Sequence, residues 1–142
     1  MNFNIVLDDG AKMPQRAHDT DAGFDLFARE DVLIRAHESV VIDTGVHIEL
    51  KETNGYKTVG MLKSKSGLNV NFSLTNEGVI DMGYTGSIRV KLYNHSNAAY
   101  IVHKGDKISQ LVIMPIVTPE LVEVDELAKT ERGDGGFGST GR

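Results

Sequence analysis

The sequence predicts an all-β domain, a sandwich or a barrel, on three observations. Short runs rich in β-branched residues recur along the chain, turn signals separate them, and no window carries the apolar period of a long amphipathic helix. The first run is Phe3–Leu7, followed by the Asp9-Gly10 turn. Val32–Ile34 and Ser39–Ile42 come next, and the Thr44-Gly45 turn leads into Val46–Leu50. Asn54-Gly55 precedes Lys57–Leu62. Beyond the Gly83–Gly86 turn, Ser87–Tyr93 alternates Ile88, Val90 and Leu92 with Arg89 and Lys91, the period of a strand with one buried face. Turns at Asn94–Asn97 and Lys104–Asp106 come before the last run, Ile108–Ile116. Ser66–Asn71 can form a turn of helix. Glu120–Lys129 competes as a second short one, weakened by Val122 and Val124.

A chain of 142 residues fits one domain. It has no cysteine, which excludes disulfides and thiolate chemistry, and its five histidines show no metal-ligand spacing, so a dedicated zinc site is not expected. The net charge of −5 supplies no general field for nucleic acid, so an anionic ligand needs local cations and backbone amides. The N-terminus lacks a signal-like apolar core, and the longest apolar run, Leu111–Val117, is too short to span a membrane. A cytoplasmic protein is the expectation. Composition shifts once, at Thr130–Arg142, which loses its apolar residues except Phe137. We therefore expect a β domain over 1–129 and a mobile glycine-rich arm over 130–142.

Five stretches carry residue types suited to chemistry. In the arm, glycines around Phe137 free the backbone to wrap a ligand, with Arg132, Ser139 and Thr140 as phosphate partners and the Phe137 ring as a face for a base. Composition alone leaves an idle disordered tail equally open. In Gly78–Gly86, Asp81 follows two apolar residues where a strand meets a hairpin; partial desolvation there would make it a better base, and Tyr84 could present its ring from the same hairpin. A plain turn aspartate is the alternative. Lys63–Gly67 combines cations, small hydroxyls and a glycine, as a phosphate pocket or a solvated turn would. In Thr20–Leu26, Asp21 and Asp25 are candidates for magnesium-bound waters or are surface carboxylates. Gln110 is a polar residue inside an apolar strand, whose amide needs either a ligand or backbone partners.

Read together, AGFDL at 22–26, SKSGL at 64–68, GVIDMGYTG at 78–86, GDKISQL at 105–111 and RGDGGFGSTG at 132–141 resemble, in order, the five motifs of the trimeric dUTPase family. The resemblance implies a jelly-roll-like β-barrel subunit, the dUTPase β-clip, assembled as a homotrimer with active sites at the subunit interfaces. It implies hydrolysis of dUTP to dUMP and pyrophosphate with Mg2+, keeping uracil out of DNA and supplying dUMP. Asp81 is similar to the base that activates water, and Tyr84 to the ring that packs on deoxyribose and excludes a 2′-hydroxyl. Gly78 belongs to the main-chain groups that would read uracil. Ser66, Gly67 and Gln110 match phosphate-contacting positions, and Asp25 matches the carboxylate that reaches magnesium through water. Arg132 matches the γ-phosphate cation, Phe137 the ring over uracil, and Gly138, Ser139 and Thr140 the phosphate clasp.

The chain departs from the family pattern at Lys65, where arginine is usual: charge is kept and the bidentate fork is lost. The family's base-reading asparagine is assigned neither to Thr75 nor to Asn76. Two rival readings are a dCTP deaminase-type relative, against which Asp81 and the complete arm weigh, and a non-catalytic nucleotide-binding regulatory module, which need not keep an aimed base.

Overall fold

The computed structural model describes residues 1–141; Arg142, the last residue of the expected arm, lies outside the described residues. Among them are eleven strands and one helix. The strands are β1 (Asn4–Leu7), β2 (Gly23–Phe27), β3 (Val32–Ile34), β4 (Ser39–Asp43), β5 (Val46–Glu49) and β6 (Lys57–Lys63). Then come helix α1 (Ser66–Phe72), β7 (Leu74–Thr75), β8 (Glu77–Ile80), β9 (Arg89–Asn94), β10 (Tyr100–Val102) and β11 (Lys107–Ile116). The pairings are antiparallel: β2-β11-β6-β8, β4-β9-β7, β1-β5 and β10-β3. The fold is all-β and jelly-roll-like, as its structural neighbours are.

One apolar core joins these small sheets. Leu26, Ile34, Ile88, Val90, Leu92, Ile108 and Leu111 are wholly or almost wholly buried in it. The alternation expected around Ser87–Tyr93 is present: Ile88, Val90 and Leu92 point inward while Arg89 and Lys91 are exposed. Where β6 crosses the core it needs Gly60, because a Cβ there would lie 2.9 Å from Leu111 Cδ1 and 3.1 Å from Ile80 Cβ.

Three strands, β2, β7 and β10, were not evident from the sequence, whereas β8 is the strand expected to end ahead of Asp81. β2 has a buried polar residue and buried neighbours on both faces, so it shows no alternation. β7 and β10 have two and three residues, too few for a period to emerge. The helical turn expected near Ser66 is realised as α1, which ends at Ser73 in the left-handed conformation with φ 56°. The helix considered over Glu120–Lys129 does not form. Leu121, Val122, Val124 and Leu127 are all exposed, so no apolar face is buried to drive one. Among the described residues no helix is long and apolar enough to cross a membrane.

Leu92, fully buried in β9, should be among the most costly positions to truncate. Leu92→Ala is expected to lower unfolding free energy by about 2–5 kcal/mol, measured by denaturant titration.

Candidate active site

The candidate residues fall into three groups. The first lies where β2, β11 and β6 run side by side. Register sets Gln110 opposite Asp25 on one side and opposite Lys63 on the other, and Lys63 opposite Glu77 of β8. Directly opposed residues share a face, so Asp25, Gln110, Lys63 and Glu77 form one polar row across four strands. Asp25 is buried, which corrects the surface-carboxylate alternative. Its Oδ1 accepts from Lys65 Nζ at 2.5 Å and its Oδ2 from Lys107 Nζ at 2.7 Å. Burial alone would push its carboxyl up, but the hydrogen bonds from Lys107 and Lys65 outweigh that and hold it below its usual value. Asp21 stands apart, accepting from the His18 amide in a turn of its own.

Around that row the polar atoms are satisfied. Gln110 Nε2 donates to the Ser64 carbonyl at 3.0 Å. Asn76 donates from Nδ2 to the Ile108 carbonyl and accepts from Ser109 Oγ at 2.7 Å. Its side chain therefore braces the junction of β7 and β8 against β11, while Thr75 Oγ1 lies 2.7 Å from His95 Nε2. Lys107 and Ser109 were missed by sequence reasoning. A register irregularity between them carries Lys107 to the Asp25 carboxylate, and no local sequence signal announces it. Ser66 and Gly67 begin α1, exposed just beyond Lys65.

The second group is the turn after β8. Asp81 and Tyr84 are joined by the Tyr84 amide donating to the Asp81 carbonyl at 3.0 Å. Asp81 is exposed, so the desolvation expected there is not supplied by this chain. The Tyr84 ring folds over Gly86, where a Cβ would sit 2.5 Å from its hydroxyl oxygen, and that hydroxyl donates to the Ser87 carbonyl at 3.0 Å. The segment is tied down from β4 and β5. Thr44 donates through its amide and its hydroxyl to the Ile88 carbonyl, at 3.0 and 2.7 Å, and Ser87 Oγ donates to Asp43. That Ser87 bond, with further help from the Gly45 amide and Arg29, holds the Asp43 carboxyl below its usual value despite partial burial.

The third group is the arm. Thr130–Asp134 and Phe137–Gly141 are exposed, with Gly135 and Gly136 half-buried among local turns. Arg132 Nε donates to the Gly135 carbonyl at 2.6 Å, and Ser139 N–H donates to the Gly136 carbonyl. Phe137 takes a left-handed backbone with φ 49°, unusual for a residue with a bulky side chain, and its ring is fully exposed. Among the described residues no hydrogen bond or ion pair links the three groups, and the bonds of the arm are local to it. Glu77, in the polar row, and Asp81 lie four residues apart along one strand direction, roughly 13 Å.

The donor set does not make a protein-built metal cage: among the described residues no group of three or more His, Cys, Asp or Glu side chains could hold an ion. Each Asp25 oxygen already accepts from a lysine but retains a further lone pair. That fits a carboxylate accepting from a metal-bound water rather than ligating a metal directly. The ion pairs also make a stability prediction. Asp25→Asn should cost about 1–3 kcal/mol at neutral pH. Because folding lowers the Asp25 value, the unmutated chain keeps this contribution above the usual 3.8 and loses it as pH falls through the folded value. Denaturant titrations across acidic pH should show this loss in the unmutated chain and a flatter profile in the variant.

The family model for dUTPase matches residues 9–141. The deoxyuridine 5'-triphosphate nucleotidohydrolase of Clostridium tetani is 44% identical over 140 residues, covering 96% of this chain and 94% of its own. That of Alkaliphilus metalliredigens is 45% identical, covering 98% of both chains. Among solved structures, a mutant dUTPase of Staphylococcus bacteriophage 80alpha with dUpNHpp superimposes with a TM-score of 0.91 at 33% identity, covering 99% of both chains. The chain belongs to the dUTPase family.

Proposed function

We propose that this protein is a dUTP diphosphatase, converting dUTP to dUMP and pyrophosphate. The observation that carries the reading is the hairpin after β8: a chain of the dUTPase family keeps Asp81 and Tyr84 exposed in one anchored turn. In the reaction, Asp81 takes a proton from water as the water oxygen bonds to the α-phosphorus. The bond from that phosphorus to the bridging oxygen breaks, and pyrophosphate leaves. When bound with the substrate, Mg2+ would supply charge neutralisation, with Asp25 the carboxylate that would reach it through water.

Other residues bind and orient. Tyr84 stacks on the deoxyribose and leaves no room for a 2′-hydroxyl. Gly78 lies in β8, at the edge of its sheet, whose free backbone groups suit recognition of the uracil edge. Lys65, Ser66, Gly67 and Gln110 serve the phosphates, with Asp25 accepting from a magnesium-bound water. Lys65 replaces the usual arginine as a compact charge, so it meets phosphate singly rather than through a fork. The arm, 130–142, closes over the nucleotide, with Phe137 on the base, Arg132 on the γ-phosphate, and Gly138, Ser139 and Thr140 along the phosphates.

A homotrimer completes the site, each centre drawing its groups from different subunits. Supporting this are the separation of the groups within one chain and the exposed apolar residues Val6, Leu33, Val41 and Ile101. With a free nucleotide as substrate, the cytoplasm is the proposed location.

Asp81→Asn should keep affinity for the non-hydrolysable analogue dUpNHpp while turnover of dUTP falls about 10²–10⁴-fold, read by calorimetry and pyrophosphate release. Removing 130–142 should leave a folded trimer with little activity, checked by light scattering and the same assay; loss of the trimer would assign the arm to assembly. Tight dUTP binding by the unmutated protein with no pyrophosphate release would overturn the proposal, as would ammonia release from dCTP in its place.

A further inference from the structure

His47, on β5, is not among the motif residues, yet both of its ring nitrogens are engaged. Nδ1 lies 2.8 Å from the carbonyl oxygen of Thr85, the residue after Tyr84, and Nε2 lies 3.1 Å from Asp8 Oδ1, just beyond β1. Both partners are acceptors. A neutral imidazole has one N–H and can satisfy only one of them, with its other lone pair facing an oxygen; the imidazolium donates to both. We propose that protonated His47 is a positioning residue for the sugar-binding hairpin, pinning the Thr85 carbonyl to Asp8 and so holding Tyr84 in place until rising pH releases it. The inference rests on the proposed dUTP-hydrolysing function, because it assigns the hairpin to the substrate sugar.

The surroundings favour the charged ring. The Thr85 carbonyl and then the Asp8 carboxylate raise the His47 value above its usual 6.5, against a smaller opposing effect of burial. Asp43 on β4 adds a second negative charge. The cations Arg29 and Arg89 act on Asp43, and Arg29 pairs with it at 3.4 Å. Because folding raises the value, the tie is complete below 6.5 and is lost as pH climbs through the folded value. The hairpin responds at Thr85 because Ser87 and Ile88 are fixed independently by Asp43 and Thr44, which leaves Tyr84–Gly86 as the part that His47 restrains.

The test combines a spectroscopic and a kinetic measurement on the full-length protein. In NMR titrations from about pH 5.5 to about pH 9, the Tyr84, Thr85 and Gly86 amides should shift with the same midpoint as the His47 ring. Asp8→Asn should lower that midpoint. In kinetics with dUTP and UTP, His47→Ala and His47→Gln should raise KM for dUTP about threefold to tenfold at neutral pH, with a smaller change in kcat. The variants should also narrow the preference for dUTP over UTP. The unmutated protein should approach the variants' KM as pH rises, while theirs stays flat. Hairpin amides that ignore the His47 titration overturn the proposal. So does a dUTP KM for folded His47→Ala that matches the unmutated protein at every pH. Failure of the dUTPase reading looks different: the unmutated protein would release no pyrophosphate, while the amide titration would still report whether His47 holds Thr85.

Discussion

The register of β11 is the constraint on which the polar end of the domain depends. This strand lies between β2 and β6, and one alignment sets Gln110 against both Asp25 and Lys63. Side chains alternate along a strand, so a one-residue slip would turn Gln110 to the other face and bring Leu111 out of the core. The buried Leu111 and Ile108 resist such a slip because each would lose its whole apolar contact area. Hydrophobic register thereby fixes polar geometry: the buried Asp25 carboxylate, its two lysines and Gln110 keep their mutual positions because apolar neighbours on the same strands cannot move.

The two structured halves of the candidate machinery are built on different physical terms. At Asp25 the chain has taken a carboxylate out of water and compensated it with two ammonium groups, which gives a dense arrangement of charges. At the hairpin, Asp81 and Tyr84 remain in solvent, and order comes from hydrogen bonds reaching in from β4 and β5. Within one chain these halves stand apart along β8. Water therefore reaches Asp81 in the isolated subunit. The arm, rich in glycine, likewise displays an exposed aromatic ring.

Lys65 gives Asp25 a compact partner rather than a forked one. A lysine ammonium is compact and strongly hydrated, and here it makes a single short contact with Asp25. An arginine could hold a carboxylate and a phosphate with different parts of its fork. Lys65 offers one charge, and Lys107 on the other Asp25 oxygen keeps that carboxylate compensated if Lys65 turns toward an anion.

The sequence by itself determined the fold class, most of the strands and the order of the motifs. Those properties are local: alternation in Ser87–Tyr93, turn residues between runs, and glycines placed around Phe137 are readable without neighbours. Strand β2 was hidden because burial on both sides removes alternation, and β7 and β10 because they are too short to show one. Only the tertiary structure decided what each polar group meets. Asp25 is paired with lysines 40 and 82 positions away, Asn76 is committed to Ser109, and His47 faces both Asp8 and Thr85. Such pairings depend on strand register and on a β11 irregularity, which are set by the summed packing of the core and leave no mark on any short stretch of chain.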